Sequence, residues 1–193
     1  MINHKHKFIF IHIPKCAGTS IEVMFNHTAP EDHKIPYIGK MYEKSDHRTQ
    51  EEMMLLPEWK DYFKFTIIRN PYDRIQSVYK YQNRMGLSHG WENRWIFETD
   101  FETFCKNLLK YGFVHEHLKP QKNWLCDPKQ LNHIAKVERL NIDWIFLRNI
   151  LGKLPHVELT HERKTYPDCL LTPKSCRIIE KLYKEDFKLY SKC

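Results

Sequence analysis

Phe8-Ile9-Phe10-Ile11-His12-Ile13-Pro14-Lys15-Cys16-Ala17-Gly18-Thr19-Ser20 is the stretch whose reading decides the fold. Its first part, Phe8 to Ile13, is a short apolar run bounded by charge and by Pro14, the pattern of a buried strand. Residues Gly18 to about His27 carry Ile21, Val23, Met24 and Phe25, and this stretch reads as a helix. A strand, a tight loop of small residues and a helix start make an anion cradle. Free backbone N–H groups and the helix dipole both point at the loop. Gly18 and Ala17 permit close approach of backbone, Thr19 and Ser20 add hydroxyl donors, and Lys15 adds a charge. The loop is not a Walker A motif, in which the lysine follows GxxxxG; here Lys15 precedes the glycine. An ordinary structural strand–helix turn with a solvent-facing lysine is the competing reading.

Working outward, 28–46 is irregular, with Pro30 and Pro36, and Thr49 to about Leu56 is a short helix ending before Pro57. Lys64 to Ile68 is a second buried strand. Asn70-Pro71-Tyr72-Asp73 is a helix start, with Asn as cap, Pro in the first position and an acid in the first turn, and the helix is predicted to run to about Arg84. Phe101 to Tyr111 is a helix stopped by Gly112, Ile134 to Val137 a strand, and Asp143 to Leu151 a helix closed by Gly152. His156 to Leu159 is a last strand. Pro173 to about Tyr190 is one long amphipathic helix with Ile178, Ile179, Leu182, Tyr183 and Phe187 on one side. Strands alternating with helices predict an α/β domain with a mainly parallel sheet.

At 193 residues the expectation is a single domain spanning 1–193 with one sizeable core. Lys plus Arg is 31 and Asp plus Glu 24, a net +7 that invites an anionic partner. The basic residues are scattered, which excludes a polybasic arm as the binding device. No apolar run reaches the roughly 18–20 residues of a membrane span, and no signal segment is recognised, so a cytoplasmic chain is expected. The six cysteines form no CxxC pair and read as reduced thiols. His4 with His6, and His115 with His117, lack further ligands at workable spacing, so no metal site is expected.

A second anion site follows the second strand. Arg69 stands at a strand's carboxyl end, where open α/β sheets bind ligands. Asn70, Asp73 or Arg74, and Ser77, about two helical turns on, share a polar face that looks back toward the strand end. An arginine with a serine hydroxyl there suits a phosphate monoester. A capped helix with Arg69 in an ion pair is the competing reading. Trp91, Arg94, Trp95 and Phe97 could grip an acidic sugar or simply pack in a core. Tyr79 and Tyr81 beside Lys80 and Arg84 could form a nucleic-acid strip or a helix surface; no nucleic-acid partner is expected.

Together, FIHIPKCAGTSIE and FKFTIIRNPYDRIQSVY resemble the two cofactor signatures of the PAPS-dependent sulfotransferases, in particular the carbohydrate branch that includes heparan sulfate 2-O-sulfotransferase and bacterial members. HLKPQKNWL, KVERL, ERKTY and YKEDFKLY follow in the order that branch would show, so the resemblance spans roughly Phe8 to Tyr190. It implies a P-loop-like three-layer domain whose mainly parallel central sheet is flanked by helices. Its co-substrate would be 3′-phosphoadenosine 5′-phosphosulfate (PAPS), without a metal.

By the same resemblance, Lys15 would sit by the oxygen bridging phosphate and sulfuryl group. Backbone N–H groups of Cys16, Ala17, Gly18, Thr19 and Ser20, with the two hydroxyls, would hold the 5′-phosphate. Arg69 and Ser77 would hold the 3′-phosphate, and Arg163, Lys164 and Thr165 would form a lid on the nucleotide. Cys16 stands where many members have threonine. The catalytic pair would be Lys15 and a histidine base, for which His47 is the best match, with His33, His115 and His117 as rivals. The expected reaction is in-line transfer of the sulfuryl group to an acceptor hydroxyl on a carbohydrate. A P-loop-like nucleotide kinase and a non-catalytic nucleotide- or polyanion-binding module are the alternatives. Phosphoryl transfer normally recruits Mg²⁺ through a carboxylate or P-loop hydroxyl, and no strand ending in Asp supplies that carboxylate.

Overall fold

The computed structural model describes residues 1–25, 47–85, 96–151 and 171–193. The chain divides into two compact units, Met1–Ile68 with Trp124–Glu162, and Arg69–Asn123 with Arg163–Cys193.

The first unit is α/β. Strands β1 (Ile2–Asn3), β2 (Phe8–Ile11), β3 (Phe63–Ile68) and β4 (His133–Lys136) form one sheet in that spatial order. The pairs β2–β3 and β3–β4 are parallel, in register Phe10↔Phe65 and Ile67↔Ala135. The short edge strand β1 pairs antiparallel with β2, so the sheet is mixed where a mainly parallel one was expected. The four residues between β1 and β2, with Lys7 at φ 50°, allow a local reversal that a parallel crossover would not. All four residues of β2 are buried, as are Phe65 to Ile68 of β3. Near-continuous Phe and Ile runs, rather than alternation, are what strands covered on both faces require. The Phe65 ring packs, tilted, against those of Phe8 and Phe10, with centroids 5.4 and 5.0 Å away. Fully burying each such side chain is worth about 1.5–3 kcal/mol.

Helices α1 (Gly18–Met24), α2 (Gln50–Met54) and α5 (Leu140–Leu151) complete this unit. Thr49 caps α2 through a capping box with Glu52, which sets the short helix where its sequence predicted one. α5 begins three residues earlier than its periodicity suggested. Asp143 is buried inside it, accepting from the Lys136 amide (2.9 Å) and Arg139 Nε (3.1 Å).

The second unit is helical: α3 (Pro71–Met85), α4 (Phe101–Tyr111), α6 (Pro173–Leu182) and α7 (Lys184–Lys192). Its core joins Ile75 and Val78 of α3, Phe104 and Leu108 of α4, and Ile178 and Ile179 of α6. Ile96 and Phe97 lie in the same core, so Phe97 is a packing residue; Trp91, Arg94 and Trp95 lie outside the described residues. Tyr79 also packs here and its hydroxyl donates to the Thr99 carbonyl, which removes it from any surface strip. The predicted single terminal helix is two. It gives way at Tyr183 (φ −113°, ψ 27°), whose ring is buried and whose hydroxyl donates to the Leu118 carbonyl at 2.6 Å. The predicted strand at 156–159 lies outside the described residues. Among the described residues no helix is long and apolar enough to cross a membrane. Among the described residues no disulfide links the five cysteines.

Candidate active site

Three residues after β2 ends, the chain turns through Pro14 into the predicted cradle. The Cys16 amide donates to the Ile13 carbonyl (3.3 Å), and the Ala17 carbonyl accepts from the amides of Ser20 (3.1 Å) and Ile21 (3.4 Å). Lys15 (φ 67°) and Ala17 (φ 62°) are both left-handed, with Cys16 between them outside that region. For residues carrying a Cβ this costs on the order of 1 kcal/mol or more each. Alternating hand along a backbone turns successive N–H groups toward one concavity, an anion nest. As first-turn amides, Gly18 and Thr19 have no acceptor in their own helix. Of the five amides expected to hold a phosphate, those of Cys16 and Ser20 are thus spent inside the loop. Cys16 is wholly buried, its thiol donating to the Pro14 carbonyl (3.7 Å). Cysteine therefore serves this position as a small packing residue. Lys15, Ala17 and Thr19 remain half-buried, while Ser20 is buried.

Gly18 also has a packing purpose that its place in a small-residue loop did not suggest. A Cβ there would lie 1.8 Å from His12 Nε2 and 1.9 Å from its Cδ2. The bare Cα is what allows the imidazole of His12 to rest on the start of α1. His12 is buried, stacks on Phe10 and pairs through Nδ1 with Glu22 Oε1 at 2.8 Å. Burial pushes its pKa below the ordinary histidine value, against the opposing pull of Glu22. A neutral ring beside an acceptor-only carboxylate carries its proton on Nδ1.

The edge of the His47 ring meets the His12 ring at 4.6 Å and 85°. The backbone of this segment is held from elsewhere in the unit. Trp124 Nε1 donates to the His47 carbonyl (3.2 Å), and the buried Gln50 side chain pairs with both polar groups of the Asp127 backbone (2.6 and 3.1 Å). His47, just ahead of α2, thus lies against the residue that follows β2. His12 and Glu22 were missed in the sequence. Both lie within FIHIPKCAGTSIE, ten residues apart, and only the tertiary turn brings them together.

In the second unit, Arg69 and Asn70 lead into α3. Asn70 Oδ1 accepts from the Tyr72 amide (3.0 Å) and its carbonyl from the Arg74 amide (2.9 Å), the predicted cap. Arg74 does not share an open polar face with Ser77. It is fully buried and donates to the carbonyls of Lys119 (3.0 Å) and His117 (3.0 Å). Ser77 is buried as well. Gln121 pairs with the Arg69 backbone, and Asp186 accepts from the amides of Gln121 (2.8 Å) and Lys122 (2.9 Å). Burial pushes Asp186 above the usual carboxylate range, with Arg74 and the two amides pulling it back. The rival histidines have local work. His115 Nδ1 accepts from the His117 amide (3.1 Å) as the cap of residues 116–118. His117 faces Gln82 (3.5 Å). His33, Arg163, Lys164 and Thr165 lie outside the described residues.

A strand-to-helix nest beside paired histidines, and a capped helix start bearing arginine, are parts found in proteins that bind nucleotide phosphates. The pattern of the sulfotransferase family matches residues 1–192, and the chain belongs to that family. It is also similar to carbohydrate sulfotransferase 14 of Danio rerio, at 25% identity over 234 aligned residues. That alignment takes in 98% of this chain and 61% of the relative's length. No solved structure gives a significant match.

Proposed function

We propose that this chain is a single-domain, P-loop-like sulfotransferase using PAPS as donor and a carbohydrate hydroxyl as acceptor. The observation that carries the reading is the loop from Pro14 to Ser20, with left-handed Lys15 and Ala17 and with His47 packed against the histidine that precedes it. A loop that holds two strained residues in place has a compensating use, and an anion is the ligand its amides suit.

In this reading the amides of Gly18 and Thr19, with the Thr19 and Ser20 hydroxyls, hold the 5′-phosphate, and Cys16 and Ala17 shape the loop. Lys15 puts a positive charge by the oxygen that departs from sulfur. His47 accepts the proton of the acceptor hydroxyl as its oxygen attacks. One S–O bond forms as the opposite one breaks, leaving adenosine 3′,5′-bisphosphate and a sulfated acceptor. Arg69 and Ser77 take the 3′-phosphate, and Arg163, Lys164 and Thr165 close over the nucleotide. The fit rests on donor chemistry: amides, hydroxyls, Lys15 and Arg69 are all donors, as a donor molecule with roughly four negative charges requires.

Titration with adenosine 3′,5′-bisphosphate against ATP–Mg²⁺, followed by transfer from ³⁵S-labelled PAPS to a glycan panel, tests it. Tighter binding of the bisphosphate with label transfer is expected. Preference for ATP–Mg²⁺ would replace it with the kinase reading; bisphosphate binding without transfer to any acceptor would leave a binding module.

A further inference from the structure

Arg69 occupies the short bridge between β3 and α3, where neither the strand ladder nor the helix fixes its backbone. The side chain of Gln121 does so instead. Gln121 Oε1 accepts from the Arg69 amide at 2.9 Å, and Gln121 Nε2 donates to the Arg69 carbonyl at 2.8 Å. This is the pairing a neighbouring peptide group would supply, delivered from 52 residues away. It leaves Arg69 little freedom of φ or ψ, so the point and direction from which its side chain departs, the Cα–Cβ bond, are set before any ligand arrives.

The clamp is itself braced. Gln121 is fully buried, and its amide and that of Lys122 donate to opposite oxygens of Asp186, on α7. The buried guanidinium of Arg74 holds the carbonyls of His117 and Lys119, on the other side of Pro120. Backbone groups of residues 117–122 are therefore gripped by two buried charges, and the side chain of that segment's one glutamine is aimed at Arg69. A loop needing only to be packed would not require such a set of buried polar groups, each costly unless paired.

We propose that Gln121 is a positioning residue for recognition of the donor's 3′-phosphate, acting through the Arg69 backbone, with Asp186 and Arg74 as its brace. The proposal rests on the assignment of Arg69 to that phosphate made above. Removing the side-chain amide strands two part-buried backbone groups on Arg69 and lets the bridge drift, while leaving the rest of the nucleotide's contacts untouched.

The test measures affinity for adenosine 3′,5′-bisphosphate and for AMP by calorimetry on Arg69→Ala, Gln121→Ala, the near-isosteric Gln121→Glu, and Arg69→Ala/Gln121→Ala, each checked for a cooperative thermal transition. Glutamate keeps an acceptor for the Arg69 amide but turns an oxygen toward its carbonyl. Each single variant is expected to weaken the bisphosphate about 10-fold or more and AMP less than about 2-fold, the loss of a hydrogen bond to a charged group being about tenfold or more. The double variant is expected to bind the bisphosphate no worse than Arg69→Ala alone. If Arg69→Ala weakens both nucleotides equally, the phosphate assignment itself fails. If Arg69→Ala is selective but the foldable Gln121 variant weakens both nucleotides alike, or adds its full loss to Arg69→Ala, positioning through Arg69 is overturned and Gln121 is a structural brace only.

Discussion

Replacing Gly18 with alanine inverts a rule. At the first residue of a helix with φ outside the left-handed region, glycine to alanine ordinarily stabilises by roughly 0.5–1 kcal/mol. Here the new methyl would sit 1.8 Å from His12 Nε2 and 2.4 Å from Cε1. Carbon atoms make contact at about 3.5–4.0 Å, so the ring must retreat by about 1.5–2 Å. It has little room to do so, being buried, stacked on Phe10 and bonded to Glu22. Overpacking of this kind costs about 1–3 kcal/mol, and loss of the histidine–carboxylate bond about 1.5–3 kcal/mol more if the ring leaves. Set against the usual gain, the net expectation is destabilisation by up to about 2.5 kcal/mol with the ring still bonded and by about 1.5–5.5 kcal/mol once it leaves, a fall in Tm of several degrees for a chain of this size. Chemical denaturation of Gly18→Ala, His12→Ala and the double variant measures it. Clearing the imidazole should relieve the clash, so the double variant should be more stable than the sum of the single losses predicts. A Gly18→Ala protein as stable as the parent, or strict additivity, would refute the packing of His12 on the loop.

Three further outcomes are expected. His47→Ala should lower turnover about 10²–10⁴-fold with bisphosphate affinity nearly unchanged, and the acid limb of the rate–pH profile should vanish with it; a retained acid limb would move the base elsewhere. Sulfate transfer should persist in EDTA, because Lys15 and amides carry the charge; abolition restored by Mg²⁺ would contradict the mechanism. The depressed pKa of His12 implies that stability falls as pH drops below about 6.5, since the unfolded chain gains a proton the folded one refuses, with a limiting slope of about 1.4 kcal/mol per pH unit until the folded group titrates. Denaturation midpoints of the wild type and His12→Phe between pH 7 and 5 check this, the variant being expected to lose that component of the slope.

How much of this was legible depended on how far apart in the chain the deciding groups lie. The Asn70–Pro71 helix start and the Thr49 helix boundary were readable because caps act over two or three residues. The buried strands were readable from the Phe and Ile run of β2 and from the apolar residues of β3, which Lys64 and Thr66 interrupt without breaking the pattern. The edge strand at Ile2–Asn3 was not, since two residues carry no periodicity. Nor was the break at Tyr183, because the amphipathic pattern continues through it and only the Leu118 carbonyl shows why the ring is anchored.

The same distance rule explains why candidate residues could be singled out while the partners around them could not. Lys15 and Arg69 stand out by type beside a loop and a strand end, and His47 through the family resemblance alone. His12, Glu22, Gln121 and Asp186 are defined by partners 10, 52 and 65 residues away, and a single sequence gives no sign of such pairs. Arg74 is the instructive reversal. Its spacing from Asn70 offered it, or Asp73, for a polar face looking back toward the strand end, yet burial with two carbonyls as acceptors makes it a fixed strut. A charged side chain is driven inside only where donors and acceptors close around it. Buried Arg74 and Asp186 are therefore evidence that residues 117–122 must be held in one conformation, and the residue that segment holds in place is Arg69.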